Sequence, residues 1–208
     1  SAAFVLAGPI TPPPGPVAST HKTLTEIEPR IAINATNTPG DADSLFKITQ
    51  PGSYYVTGNI TGVSGKHGIE ITASGVTLDL NGFQLAGVAG SLDGVSTTAS
   101  GLSRVVVKNG HIRAWGDKGV DFLTQLTASC HVQDLTLDAN GGTGLGLFDS
   151  SIAERCISTN NGGIGIDANA ACTLTECHAS SNGLRGIQAG ANAVLRGCAA
   201  YSNVGIGI

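Results

Sequence analysis

Residues 135–208 read LTLDANGGTGLGLFDSSIAER (135–155), CISTNNGGIGIDANAACTLTE (156–176), CHASSNGLRGIQAGANAVLRG (177–197) and CAAYSNVGIGI (198–208). Set one above the other at a period of 21 residues, they share four columns: Leu135, Cys156, Cys177, Cys198; Asn140, Asn161, Asn182, Asn203; Gly144, Gly165, Gly186, Gly207; and Leu145, Ile166, Ile187, Ile208. A fixed period of about 20–25 residues marks a repeat architecture in which each unit is one turn of a coil. The units are short apolar pairs punctuated by Asn and Gly, without strong helix formers at helical spacing, so their elements are strands. Strands that return in the same direction on every turn form parallel sheets. In such a stack the asparagine column becomes an amide ladder. The glycine column marks a bend suited to a residue without Cβ, and the aliphatic column fills the core.

Working back from this block, the coils begin at Gly68 and are irregular to about residue 134. Val76, Leu78 and Leu80 alternate with Thr77 and Asp79, the period-2 pattern of a strand with one buried face. The next turns open at Gly94-Val95 and Gly119-Val120, spaced 26 and 25 residues apart, so they carry loops that the later frame lacks. Earlier strands are expected at Phe46–Thr49 and Tyr54–Val56. About seven coils then span residues 44–208.

Residues 21–43 form a candidate N-terminal cap. Within them HKTLTEIEPR (21–30) reads as a short helix: Thr23 and Glu26 fit a capping box, Leu24 and Ile27 share a face, and Pro29 ends it. A solenoid needs its first coil covered, because an open end exposes core and unpaired strand edges. Residues 1–20 place an apolar run before PPPGP. They read either as the tail of a secretory signal or as an extended apolar, proline-rich arm held off the body.

Composition excludes several classes. Lysine and arginine number 11 against 15 aspartates and glutamates, so the basic face of a nucleic-acid binder is missing. No stretch of about 18 apolar residues is present to span a membrane. The five cysteines, Cys130, Cys156, Cys172, Cys177 and Cys198, are odd in number and lack metal-site spacing, and they are expected to be buried free thiols that act as small apolar fillers. His178, next to Cys177 on an extended segment, faces the other way. His131 and His178 read as exposed. The loop Gly40–Ser44 carries Asp41 and Asp43 without the glycine and glutamate of an EF-hand, and reads as a solvated turn rather than a calcium site. No cofactor is expected, with calcium at the Gly40–Ser44 carboxylates as the one alternative.

Asn-x-x-x-Gly-Ile at Asn161 and Asn182, with Val-Thr-Leu-Asp-Leu-Asn-Gly at Val76–Gly82, resembles the short repeats of the right-handed parallel β-helix (pectate-lyase-like) superfamily. The likeness covers residues 44–208 and implies an all-β, right-handed parallel β-helix. The superfamily hosts lyases, hydrolases, epimerases and adhesins, so fold does not fix activity. Its polygalacturonases show Asn-Thr-Asp, Asp-Asp, Gly-His-Gly and Arg-Ile-Lys, none of which occurs here; Asn109-Gly110-His111 lacks the second glycine of the third.

The most distinctive chemistry lies in the irregular coils: Asp79, Lys108, His111, Asp117 and Asp121 as candidate catalytic side chains, with Arg113 and Trp115 as candidate ligand contacts. Trp115 on a loop rim suits stacking on a sugar; alternatively it covers an end of the core. The later coils face outward with Ser, Thr, Ala and Asn, which suits a scaffold better than an enzyme. The expected protein is an extracellular or cell-surface β-solenoid that acts as a structural or interaction module. Its partner is expected to be itself, head to tail through the last coil and the arm. The alternatives are a polysaccharide lyase or hydrolase, or a glycan-binding module.

Overall fold

The computed structural model describes residues 28–123 and 127–208. The arm and nearly all of the expected capping helix lie outside these residues, and Glu28–Arg30 at their start are not helical. The described chain is a parallel β-solenoid without helices. A seven-stranded sheet contributes one strand per turn, which sets seven turns, and a thirteen-stranded sheet wraps the remaining two runs of each turn.

The register confirms the columns. In the seven-stranded sheet Ile69, Val95, Val120, Leu145, Ile166 and Ile187 stand in line across six successive strands. In the other sheet Val106–Arg113 and His131–Asp138 run unbroken across two faces. Later turns divide that path, as in Ile152–Glu154 followed by Ile157–Thr159. One continuous core runs along the axis, from Ile48 through Trp115 to Ile187.

Each bend has a common construction, and it is not the one expected. Asn81 and Asn109, each followed by glycine, are left-handed in the early coils; elsewhere left-handed backbone recurs on three sets of residues: Arg104, Ser129, Ser150, Ala171 and Asn192; Asp134, Arg155, Glu176 and Gly197; and Ala114, Ala139, Asn160, Ser181 and Ser202. Each residue of the three sets directly precedes an inward-facing column residue, such as Cys130, Cys156 or Asn140. The glycine column is instead a close-approach column: a Cβ on Gly165 would lie 2.5 Å from Asn182 Nδ2 and 2.6 Å from the Gly186 carbonyl oxygen. The next coil, not the dihedral angle, excludes a side chain there.

The amide ladder is present. Asn140 Nδ2 donates to Asn161 Oδ1 at 2.9 Å, Asn161 to Asn182 at 3.0 Å, and Asn182 to Asn203 at 2.9 Å. Backbone N–H groups of Asn140, Asn161 and Asn182 donate to the same oxygens. Each amide also reaches back one coil, as Asn161 Nδ2 does to the Leu137 carbonyl at 3.2 Å, so each rung ties three turns together. The cysteines are free, and all but the half-exposed Cys198 are buried. The neighbouring Cys177 thiol and burial both push Cys156 up, and burial takes Cys130 to about 11, so these remain neutral thiols.

The two ends differ. At the first turn the segment 34–43 folds over the strand Ser44–Ile48, with an antiparallel bridge from Pro39 to Phe46 and a Lys47 N–H bond to the Thr38 carbonyl. At the last turn Leu184, Val204, Ile206 and Ile208 are 54–83 % exposed. Among the described residues, no helix is long and apolar enough to cross a membrane.

Candidate functional site

The candidate residues do not converge on one site. Asp79 and Lys108 are cross-strand neighbours on one outer face, with Lys108 Nζ 3.9 Å from Asp79 Oδ2. Arg30 holds the same oxygen at 3.3 Å and lies 4.6 Å over the Tyr55 ring, while the Asn81 N–H and Asn109 Nδ2 bond to Asp79 Oδ1. This carboxylate is tied down on both oxygens and fastens the start of the described chain to the coil.

His111 and Arg113 lie past the bend at Asn109, on a second face. With Gln84, Thr136, Asp138 and Thr159 they line a shallow depression of about 270 Å³. Arg113 Nε is 3.8 Å from Asp138 Oδ2.

Trp115 is on neither face. It is 1 % exposed in the core, with its indole N–H donating to the Leu85 carbonyl at 3.2 Å, so it cannot stack on a sugar. Its backbone N–H meets Asn140 Oδ1 at 3.1 Å, and Trp115 therefore stands at the head of the asparagine column. Gly62, Gly68 and Gly94 leave room for its ring, since a Cβ on each would come within 3.1 Å of indole carbons. In the early coils one large aromatic fills the column that amides fill later.

Asp117 and Asp121 belong to a third face, that of the seven-stranded sheet. Lys118 Nζ joins them, 3.6 Å from Asp117 and 3.2 Å from Asp121, and Asp121 is buried. Its outward register column reads Lys47, Glu70, Ser96, Asp121, Gly146, Asp167 and Gln188. Glu70 and Asp121 stand two strands apart, roughly 9.6 Å.

This column gathers the densest buried charge in the described chain, and sequence reasoning missed most of it. Glu70 is 1 % exposed yet faces outward; Lys47 reaches it at 2.9 Å and the Thr98 hydroxyl caps it from the following loop. His67 Nδ1 lies 3.2 Å from Asp93 Oδ2, and Asp93 Oδ1 accepts the Lys118 N–H at 2.8 Å. Burial alone would lower the pKa of His67, but Asp93, with Asp43 and Glu70 behind it, raises it above the ordinary value. Asp41, read as part of a solvated turn, is held well below the carboxylate range by Lys47 and then by Ser44. Burial raises Asp167, with Gln188 at 2.9 Å opposing that effect. His178 is exposed, as expected; His131 is half-buried, with Nε2 3.3 Å from Glu154. The available sequence signal was a glutamate between Ile69 and Ile71, a charge inside an apolar strand.

Parallel strands in seven turns, with amide and thiol columns and three separate outer faces, define a β-solenoid. A family model described as a right-handed β-helix region matches residues 47–198. The chain belongs to that family. No curated protein and no solved structure gave a match.

Proposed function

We propose that the protein is an extracellular β-solenoid scaffold that associates with a second copy of itself through its last coil. The observation that carries this reading is an exposed apolar surface on residues 184–208. The first strand edge is covered by residues 34–43, whereas the last turn presents Val204, Ile206 and Ile208 at 83 %, 66 % and 60 % exposure. Beside them lies an apolar groove of about 500 Å³ lined by Ile164, Leu184, Val204 and Ile206. An exposed apolar patch of this kind marks a protein–protein contact. The occupant is a second copy, whose own Val204, Ile206 and Ile208 would cover the same three side chains across a two-fold contact.

Head-to-tail stacking would require the covered first edge to open. Two copies meeting through the same last coil need no such change, and the two-fold contact closes. Light scattering after size exclusion should give a dimer for residues 1–208 and a monomer for Ile206→Lys. A wild-type monomer at about 100 µM would refute the dimer, and filaments by electron microscopy would restore head-to-tail growth.

A second reading rests on the depression formed by Gln84, His111, Arg113, Thr136, Asp138 and Thr159. Its hydrogen-bonding side chains on a flat sheet suit a glycan. Binding on a glycan array that Arg113→Ala abolishes would support it; an array without signal would remove it.

A further inference from the structure

One cluster keeps a buried oxygen that the hydrogen bonds around it do not use. Carboxylate oxygens of Asp41, Asp43 and Glu70 lie within 4.8 Å of one another. Asp41 and Asp43 are exposed, whereas Glu70 is buried on the strand His67–Ile71. Glu70 Oε1 is occupied by Lys47 and Thr98, but its Oε2 is fully buried and meets no hydrogen-bond donor. A buried carboxylate oxygen without a partner is costly to keep and calls for an explanation, such as an ion.

The surroundings specify which ligand. The three candidate ligands are all carboxylates, and Lys66 Nζ reaches the backbone carbonyls of Asp41 and Ser44. Oxygen-only donors suit a hard cation and not a zinc- or copper-like one. Oxygens up to 4.8 Å apart can share one ion through two bonds of about 2.4 Å, the calcium distance. Three carboxylates against the ammoniums of Lys47 and Lys66 leave a net negative charge. Lys47 Nζ sits 2.6 Å from Asp41 Oδ2 and 2.9 Å from Glu70 Oε1, on a side chain 27 % exposed, so it has a path to solvent.

We propose that Asp41, Asp43 and Glu70 form a binding site for a divalent cation of the calcium class, which competes with the Lys47 ammonium for the carboxylates. A bound ion links the loop that covers the first edge to the second coil. The probe is calcium chloride, titrated calorimetrically into chelator-treated residues 1–208, with magnesium chloride as the comparison. One saturable calcium site is expected, weakened by more than about tenfold in Asp43→Asn and in Glu70→Gln and tightened by about tenfold in Lys47→Gln. Asp43 is exposed, so Asp43→Asn tests the site even where Glu70→Gln fails to fold. Calcium should also raise the melting temperature of the wild type and not that of Asp43→Asn. Absence of binding by the wild type overturns the proposal, as does binding that both substitutions leave intact. Binding by Lys47→Gln with a silent wild type also overturns it, because Lys47 is then the permanent counter-charge.

Discussion

At the scale of single residues, stability is concentrated in the inward-facing columns. Asn161 is buried, takes two bonds from Asn140, and donates to Asn182, Ser158 and the Leu137 carbonyl. Asn161→Ala strips partners from Asn140 and Leu137 together and should destabilise the protein by about 3 kcal/mol, measured by denaturant unfolding; a loss within about 0.5 kcal/mol would mean that the ladder is ornamental. The bends make the opposite prediction. Ala171 has φ 56°, a conformation that costs an ordinary residue about 1–2 kcal/mol. Part of that gain is lost to the extra freedom of glycine in the unfolded chain, so Ala171→Gly should stabilise by about 0.5 kcal/mol. The ladder was legible in the sequence because asparagine recurs at one spacing. Most of the bends were not: Asn81-Gly82 and Asn109-Gly110 carry an ordinary turn signal, but elsewhere Ala, Arg, Glu and Ser occupy left-handed positions that composition assigns to glycine or asparagine. Of the two places open to Trp115, the rim fails and the core holds; the choice was hidden because Gly116 and Asp117 follow it as in a loop, while the glycines that accommodate its ring lie 21 to 53 residues earlier in the chain.

At the scale of elements, the outer face of the seven-stranded sheet departs from the simple rule that alternate residues of a strand face water. Glu70, Ser96 and Asp121 face outward and are nevertheless buried. For Glu70 the cover comes partly from the loop after Val95–Thr97, through Thr98. Strand periodicity predicts which way a side chain points, not what folds over it, so this cluster was not readable from the repeat. It carries a pH signature through His67. In its neutral form Nδ1 accepts the Asp93 N–H at 3.1 Å; protonated, it donates to Asp93 Oδ2. The folded pKa is raised above the ordinary 6.5, so the stabilisation is fully present below that value and is lost as pH rises through the folded pKa. The melting-temperature gap between wild type and His67→Gln should therefore be widest near pH 5 and shrink toward pH 8. A gap that widens with rising pH would show that His67 is neutral in the folded protein.

At the scale of the whole molecule, each coil touches mainly the turns on either side, so stability is a sum of turn and interface contributions along one axis. The 21-residue frame then has a consequence that ordinary globular domains do not share. Deleting Cys156–Glu176 joins Arg155 to Cys177 and returns every column to register: Cys177 falls on Leu135, Asn182 on Asn140, and Ile187 on Leu145. Arg155 keeps its bond to Asp134 at 2.7 Å, because both lie before the junction. Removing only Cys156–Gly165 takes out fewer residues but joins Arg155 to Ile166, so a strand of the seven-stranded sheet lands where the other sheet's strand belongs, and a core residue meets the wrong column. The full-turn deletion should keep strand circular dichroism and a cooperative melt a few degrees lower, since one interface is lost. The half-turn deletion should lose amide protection in hydrogen exchange from the junction to Ile208, while the turns before Asp134 stay protected. If the two deletions melt alike, the columns do not set the register, and the irregular early coils with their buried tryptophan hold the fold instead.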